Sequence, residues 1–237
     1  MAVGYETRRW LVRRAAKVAP RYGPRLYRSR LNPNRHRWVT GGAWDEMGDL
    51  QLRFLVDQGL RPDHHLLDVG CGALRGGVHF VRYLEPGHYC GIERMPALLK
   101  AGRRELDRAG LSGKAPVLVQ DDAFRFQRFH RRFDYALAHS VFTHLPFNVI
   151  MRCLSEMEGA LGAGGRFYAT YFPNTGRRLR HDDVTGTNHV LHCDRDPYYY
   201  DPGIFEWAVE GSALSCTVLG DWGHPRDQHM LLFTKEP

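Results

Sequence analysis

The chain has 237 residues, 43% of them hydrophobic, and a formal net charge of +7. That length fits a single domain with additions, and no apolar run approaches the roughly 18 residues that a spanning helix needs, so a membrane-spanning helix is not expected. Five scattered cysteines (Cys71, Cys90, Cys153, Cys193, Cys216) without a Cys-x-x-Cys pair or an apolar signal segment argue for reduced thiols and a cytoplasmic location rather than a disulfide framework.

The charge is local. Residues 1–40 hold eleven Arg or Lys against one acid, Glu6, leaving 22 basic and 25 acidic residues in the rest of the chain. Residues 1–43 therefore read as a basic N-terminal helical extension, either a solvated helix packing Trp10, Leu11 and Val18 on the body or an arm that grips phosphate. An organellar presequence has the same composition.

From Trp44 to Gly59 the apolar residues fall mostly at helical spacing, with Gly59 as a stop. His65 to Val69 is a short apolar run ending in glycines, which suits a buried parallel strand. Alternation follows: helix over 78–84, strand over 89–92, helix over 97–109, strands over 117–119 and 133–138, helix over 149–161 and strand over 166–172. Strand and helix in turn predict right-handed crossovers, a parallel sheet and ligands at the strands' carboxyl ends. Residues 173–202 break the pattern with a polar stretch rich in His, Asp, Arg and Tyr, read here as a substrate cap, since loops of that length are usually functional. A helix over 204–210 and two strands over 214–219 and 230–234 close the chain.

The strand ends carry the chemistry. Leu67-Asp68-Val69-Gly70-Cys71-Gly72 permits a tight turn in which bare backbone touches a ligand. That turn alone also fits a dinucleotide site or no ligand at all. Glu93, 25 positions after Asp68, closes the second strand where an acid can accept from ribose hydroxyls, with Arg94 beside it. Asp121, Asp122 and Ala123 close the third, where a carboxylate can accept from an adenine amino group. Arg75 follows the first glycine turn.

These motifs, with Phe133 to Ser140 and Leu161 to Phe167, resemble the class I S-adenosylmethionine-dependent methyltransferases over residues 44–237, and loosely the actinobacterial small-molecule enzymes, some of which act on sugars. The resemblance implies an α/β, doubly wound, seven-stranded, mostly parallel sheet with an antiparallel seventh strand. It implies S-adenosylmethionine as cofactor, with Gly70 and Gly72 along its methionine part, Glu93 on the ribose, Asp122 on the adenine, and His139 near the amino group through its backbone.

His144, just past the fourth strand, is the candidate general base for a hydroxyl acceptor, because imidazole titrates near neutral pH. The alternative is that it caps the following helix or bonds within the core. Tyr171, His192, Tyr198, Tyr199, His224 and His229 are candidate acceptor-side groups, and the cap's tyrosines and polar groups, including His181, Asp182, Asp183 and Asn188, suit a hydroxyl-rich ring. The expected reaction is O-methylation of a small molecule, a saccharide ahead of a phenol or carboxylate. RNA methylation using the basic arm is the competing reading, and a non-catalytic cofactor-binding protein is the third. No metal site is expected, since the histidines show no ligand spacing; magnesium is allowed without being indicated. A homodimer is compatible with the sequence.

Overall fold

A computed structural model describes residues 34–39, 43–174, 183–185 and 190–236 of the chain. Most of the basic extension, along with His181, Asp182 and Asn188 of the cap, lies outside the described residues. No helix among them is long and apolar enough to cross a membrane.

Helix α1 (Arg35–Val39) and helix α2 (Trp44–Asp57) lead into the core. Helix α2 has Asp45 and Glu46 in its first turn, where the helix dipole favours acids, and it buries Met47, Leu50 and Leu55. Two residues of the basic stretch are packed rather than solvated. The His36 ring bonds Glu105 Oε1 at 2.7 Å, and Arg37 Nη2 donates to Glu105 Oε2 at 2.5 Å. Glu105 is 3% exposed, and Arg108 adds a third contact at 2.9 Å, so its carboxylate stays ionised inside a ring of donors.

Strands β1 (Leu66–Val69), β2 (Tyr89–Glu93), β3 (Val117–Gln120) and β4 (Phe133–Ala138) alternate with helices α3 (Gly77–Tyr83) and α4 (Pro96–Arg108). Helix α5 (Phe147–Ala160) runs into the long strand β5 (Leu161–Pro173). After two short strands, β6 (Val184–Thr185) and β7 (Val190–Leu191), come β8 (Tyr199–Tyr200), α6 (Gly203–Ala208), β9 (Leu214–Asp221) and β10 (His229–Lys235). The sheet order is β3-β2-β1-β4-β5-β10-β9, with β8 added along β5. Strands β1 to β5 pair in parallel, and β10 runs antiparallel to both β5 and β9.

Both faces of the sheet are covered, as a parallel sheet requires. Leu67 and Val69 of β1 belong to a cluster with Ile150, Leu154 and Met157 of α5, whereas Leu66 belongs to one with Leu50, Phe80 and Leu99 from α2, α3 and α4. The period of two along β1 thus divides the chain into two apolar layers.

Two elements differ from the sequence expectation. Strand β5 begins five residues early because Leu161 already pairs with Phe133, after which residues 162–165 bulge before pairing resumes at Arg166 opposite Tyr135; the bulge is tight, since a Cβ on Gly165 would stand 2.9 Å from the carbonyls of Gly162 and Phe133. The cap is not structureless. Strands β6 and β7 pair antiparallel, β8 pairs with the end of β5, and Leu191 and Tyr199 cover Phe172 in a small apolar cluster of their own.

Gly91 sets how closely β2 approaches the first glycine turn, since a Cβ there would lie 2.9 Å from Cys71 Sγ and 2.9 Å from Leu118 Cδ2. Gly91→Ala is expected to cost about 1–3 kcal/mol of stability by overpacking, read as a shift of the urea midpoint at constant slope.

Candidate active site

Where β1 ends, Gly70 and Gly72 take positive φ (67° and 57°), a conformation that side chains resist. The Gly70 and Cys71 amides both donate to the Ile92 carbonyl, at 2.8 and 3.1 Å, which locks the turn onto β2. Glu93, at the end of β2, is 8% exposed; its Oε2 accepts from the Gly72 amide at 3.1 Å and its Oε1 from the Met95 amide at 2.8 Å. The carboxylate therefore ties the two ligand-facing loops together while each oxygen keeps a second acceptor site.

Asp68 is buried beneath this turn and accepts from the Tyr89 hydroxyl at 2.7 Å. Burial pushes its carboxyl up to about 7, and the Tyr89 bond only partly offsets that. Arg75 is brought down to about 10 by burial and then by its neighbour Arg226.

At the end of β4, Arg75 Nη2 donates to His139 Nδ1 at 3.3 Å. A guanidinium has no acceptor, so the ring proton sits on Nε2, a buried donor with no hydrogen-bond partner among the described residues. Burial and then the Arg75 charge hold His139 well below the usual imidazole range, so it is neutral. Ser140, at positive φ of 56°, donates its amide to Thr170 Oγ1 at 2.7 Å, and the Ser140 and Thr170 hydroxyls both donate to Gln228 Oε1, at 3.0 and 2.7 Å. That network binds the ends of β4, β5 and β10 to one another.

His144 follows on a 3-10 turn over Phe142–His144. Its Nδ1 stands 2.5 Å from Asp196 Oδ1 of the cap. An ionised carboxylate only accepts, so Nδ1 carries a proton, and in the neutral ring the lone pair is on Nε2.

These groups surround one cavity of about 470 Å³. Of the residues expected from sequence, Asp68, Gly70, Cys71, Gly72, Arg75, Glu93, His139 and His144 line it. Arg94, just after β2, and Asp121, Asp122 and Ala123, just after β3, do not line it; the two strand ends adjoin, the Asp121 amide donating to the Glu93 carbonyl at 3.2 Å. The Asp121 carboxylate is occupied by the Ala123 amide (2.8 Å) and by Arg125 Nε (2.6 Å), which shapes the loop and leaves Asp122 exposed beside the cavity. Tyr171, His192, Tyr198, Tyr199, His224 and His229 do not line it. Tyr171 is 1% exposed against Phe205, with its hydroxyl pushed up to about 12 by burial, and it meets His229 edge-on. His224 is buried and accepts from the Arg226 amide at 3.1 Å, and burial and then Arg226 depress its basicity. His192 is held by Asp183 at 2.6 Å, Tyr199 is buried in β8, and Tyr198 stacks on Tyr200. Gln51 and Gln228 line the cavity without a sequence signal that marked them, and Ser140, Phe172, Pro197 and Arg226 line it as well, Phe172 as an expected flat face and Arg226 on the connection expected at this edge. Among the described residues no group of His, Cys, Asp or Glu is placed to hold a metal ion.

Residues 67–167 match the family described as a methyltransferase domain. The magnesium protoporphyrin IX methyltransferase of Synechocystis, solved with S-adenosylmethionine bound, superposes with a TM-score of 0.60 at 12% identity over 99% of each chain. Residues 67–167 form a methyltransferase domain, in the fold shared with this S-adenosylmethionine-bound neighbour. The CcbJ methyltransferase of Streptomyces caelestis matches this fold at a TM-score of 0.64 and 16% identity, over 90% of this chain and 96% of its own. A 146-residue stretch is 27% identical to the 18S rRNA (guanine(1575)-N(7))-methyltransferase of Saccharomyces cerevisiae, covering 57% of this chain and about half (49%) of that protein.

The cavity of this methyltransferase domain fits the cofactor its fold implies. The two positive-φ glycines leave bare backbone for the methionine part, Asp68 offers a carboxyl for its ammonium, and Glu93 retains lone pairs for ribose hydroxyls.

Proposed function

We propose that this chain moves a methyl group from S-adenosylmethionine to a hydroxyl oxygen of a small molecule, with His144 as general base. The observation that carries the reading is the His144 and Asp196 pair at the wall of the cavity that also holds the glycine turn. Gly70 and Gly72 would lie along the methionine part, Asp68 on its ammonium, Arg75 near its carboxylate and Glu93 on the ribose, with Asp122 exposed toward the adenine. When bound, the cofactor supplies an electrophilic methyl on sulfonium sulfur.

His144 Nε2 would take the acceptor's hydroxyl proton as that oxygen bonds to the methyl carbon and the carbon–sulfur bond breaks, its electron pair passing to sulfur. Asp196 fixes the tautomer and stabilises the imidazolium so formed, as a carboxylate behind a histidine does. Positioning the three atoms in line supplies further acceleration. A cavity of about 470 Å³ that also holds the cofactor leaves room only for a small acceptor. Among hydroxyl compounds a saccharide is favoured, because the cap beside His144 is rich in polar and aromatic groups such as Asp183, His192, Asp194 and Tyr198.

RNA methylation is the second reading. The yeast relative's name and the basic residues 1–33 favour it, although His36 and Arg37 are engaged by Glu105. Deleting residues 1–33 would then abolish salt-dependent RNA binding, whereas the small-molecule reading expects turnover to persist.

Two results are expected. A cofactor ammonium selects ionised Asp68, and a carboxyl near 7 is mostly protonated below that pH. S-adenosylhomocysteine affinity should therefore rise with pH through about 7, by up to tenfold per unit below it, and Asp68→Asn should flatten the calorimetric profile. His144→Gln should lower kcat by about 10²–10⁴-fold, and Asp196→Asn should lower it less, on hydroxylated acceptors assayed with labelled cofactor. S-adenosylhomocysteine affinity should move by less than about threefold, under 1 kcal/mol; unchanged turnover in His144→Gln would remove it from the mechanism.

A further inference from the structure

The positive charge of the chain has a second concentration besides residues 1–40. Residues 94–132 hold ten Arg or Lys against four acids, whereas residues 41–93 and 133–237 together hold 12 against 21. The net charge of +7 thus combines two basic segments with an otherwise acidic body. The fold gathers the second segment in one place, since α4, β3 and the turn after β3 form the β3 edge of the sheet.

That edge is clasped by arginines from both faces. The Asp121 amide bonds back to β2, so by alternation the Leu118 and Gln120 carbonyls point outward along the open side of β3. Arg103 of α4 donates Nη2 to the Leu118 carbonyl at 3.3 Å, and Arg128, on a 3-10 turn over Phe126–Phe129, donates Nη1 to the Gln120 carbonyl at 2.8 Å. The first comes from the layer that holds Leu99, the second from the layer that holds Phe126 and Phe129. A carbonyl fixes a guanidinium without neutralising it. The acids do not offset the excess: Glu105 is shared by Arg37 and Arg108, Asp121 by Arg125 and Arg128, and the exposed Lys100, Arg104 and Arg132 make no ion pair among the described residues.

The basic start of the chain joins the body at the same edge. Arg108 Nη1 donates to Asn34 Oδ1 at 2.9 Å, and Glu105 of α4 holds His36 and Arg37. Residues 1–33, with nine more Arg or Lys, are therefore connected to the body here.

A polyanion is the complement of such a surface. A bilayer-binding surface brings basic and large apolar residues together. Here they are apart: exposed Trp207 lies at the opposite edge, on α6 against β9, among Glu206, Glu210 and Glu236. Within residues 94–132 the exposed large apolar residues are Met95 and Val117, one after the end of β2 and one at the start of β3, so they form no patch. No Phe, Tyr or Trp is exposed there to stack an unpaired base. Guanidiniums held at fixed positions suit the regular phosphate rows of a duplex.

Resting on the RNA reading above, we propose that the β3 edge docks the phosphate backbone of an RNA duplex, acting together with residues 1–33. The edge residues stand outside the cavity, so they position the RNA and take no part in methyl transfer.

Binding of the full chain to an RNA duplex of about 20 base pairs, followed by fluorescence anisotropy across a salt series, tests this. Lys100→Gln, Arg104→Gln and Arg132→Gln together should weaken binding about tenfold or more at about 50 mM salt and make the log–log salt slope shallower by about two to three. A charge-matched control, Arg53→Gln, Arg82→Gln and Arg152→Gln on α2, α3 and α5, should change affinity by less than about threefold. Unchanged S-adenosylhomocysteine affinity in both variants shows that they are folded. Equal effects in the two variants, an unaffected edge variant, or tighter binding to a DNA duplex or to single-stranded RNA of the same length would each overturn the proposal. So would failure of the full chain to bind the RNA duplex, whether or not phosphatidylserine vesicles are bound instead. Failure of the RNA methylation reading shows separately, as an RNA that is bound but takes up no labelled methyl.

Discussion

The site depends on one close approach of bare backbone. The end of β1 must turn beneath a ligand while lying against β2, and only residues without side chains allow it. Gly70 and Gly72 adopt left-handed backbone, Gly91 leaves room for Cys71, and the Ile92 carbonyl receives two amides from the turn. Glu93 then closes the arrangement by taking the Gly72 amide on one oxygen and the Met95 amide on the other. That carboxylate organises two loops and still has lone pairs to spare. Asp68 and Glu93, the acids that line the cavity, consequently stand together beside this turn.

The opposite side is built by a different device. Ser140, Thr170 and Gln228 join three strand ends through hydroxyl and amide bonds, which places the β9–β10 connection over the cavity. The antiparallel direction of β10 is what returns that connection to the ligand edge of the sheet. Arg226 arrives with it. Across the cavity the cap contributes Asp196, which holds His144 by one ring nitrogen and leaves the other as a lone pair. The cavity is thus lined by Asp68 and Glu93 beside the glycine turn and by His144, Arg226 and Gln228 on the side of β5 and the β9–β10 connection.

The first half of this arrangement was legible in the sequence because it is local. Asp68 to Gly72 and Glu93 announce themselves as apolar strands that end in glycine or acid, and the strand and helix alternation fixes which edge they share. The expectations for β1 to β4 and for the antiparallel closing strand match the observed sheet order. The second half was not legible because its residues meet only through the fold. Asp196 lies 52 positions from His144, and Gln228 lies 88 positions from Ser140. No spacing rule links such pairs. The tyrosines of the cap misled for a related reason: Tyr199 reads as a flat ligand face in sequence, but it is buried on Phe172 and Leu191 where β8 pairs with β5. Likewise the basic residues of the N-terminal stretch read as a wet or phosphate-gripping face, although Glu105, a residue of α4, recruits His36 and Arg37 into packing.

The most direct measurement is a crystal structure of the chain with S-adenosylhomocysteine. The ribose hydroxyls should bond Glu93, and the sulfur should face the side of the cavity that holds His144. The His144 Nε2 should then be within one hydrogen bond, about 2.6–3.2 Å, of a water or acceptor oxygen placed in line with that sulfur. A nucleoside bound away from Glu93, or a His144 ring turned out of the cavity with Asp196 still attached to it, would contradict the assignment of donor and base to this one cavity.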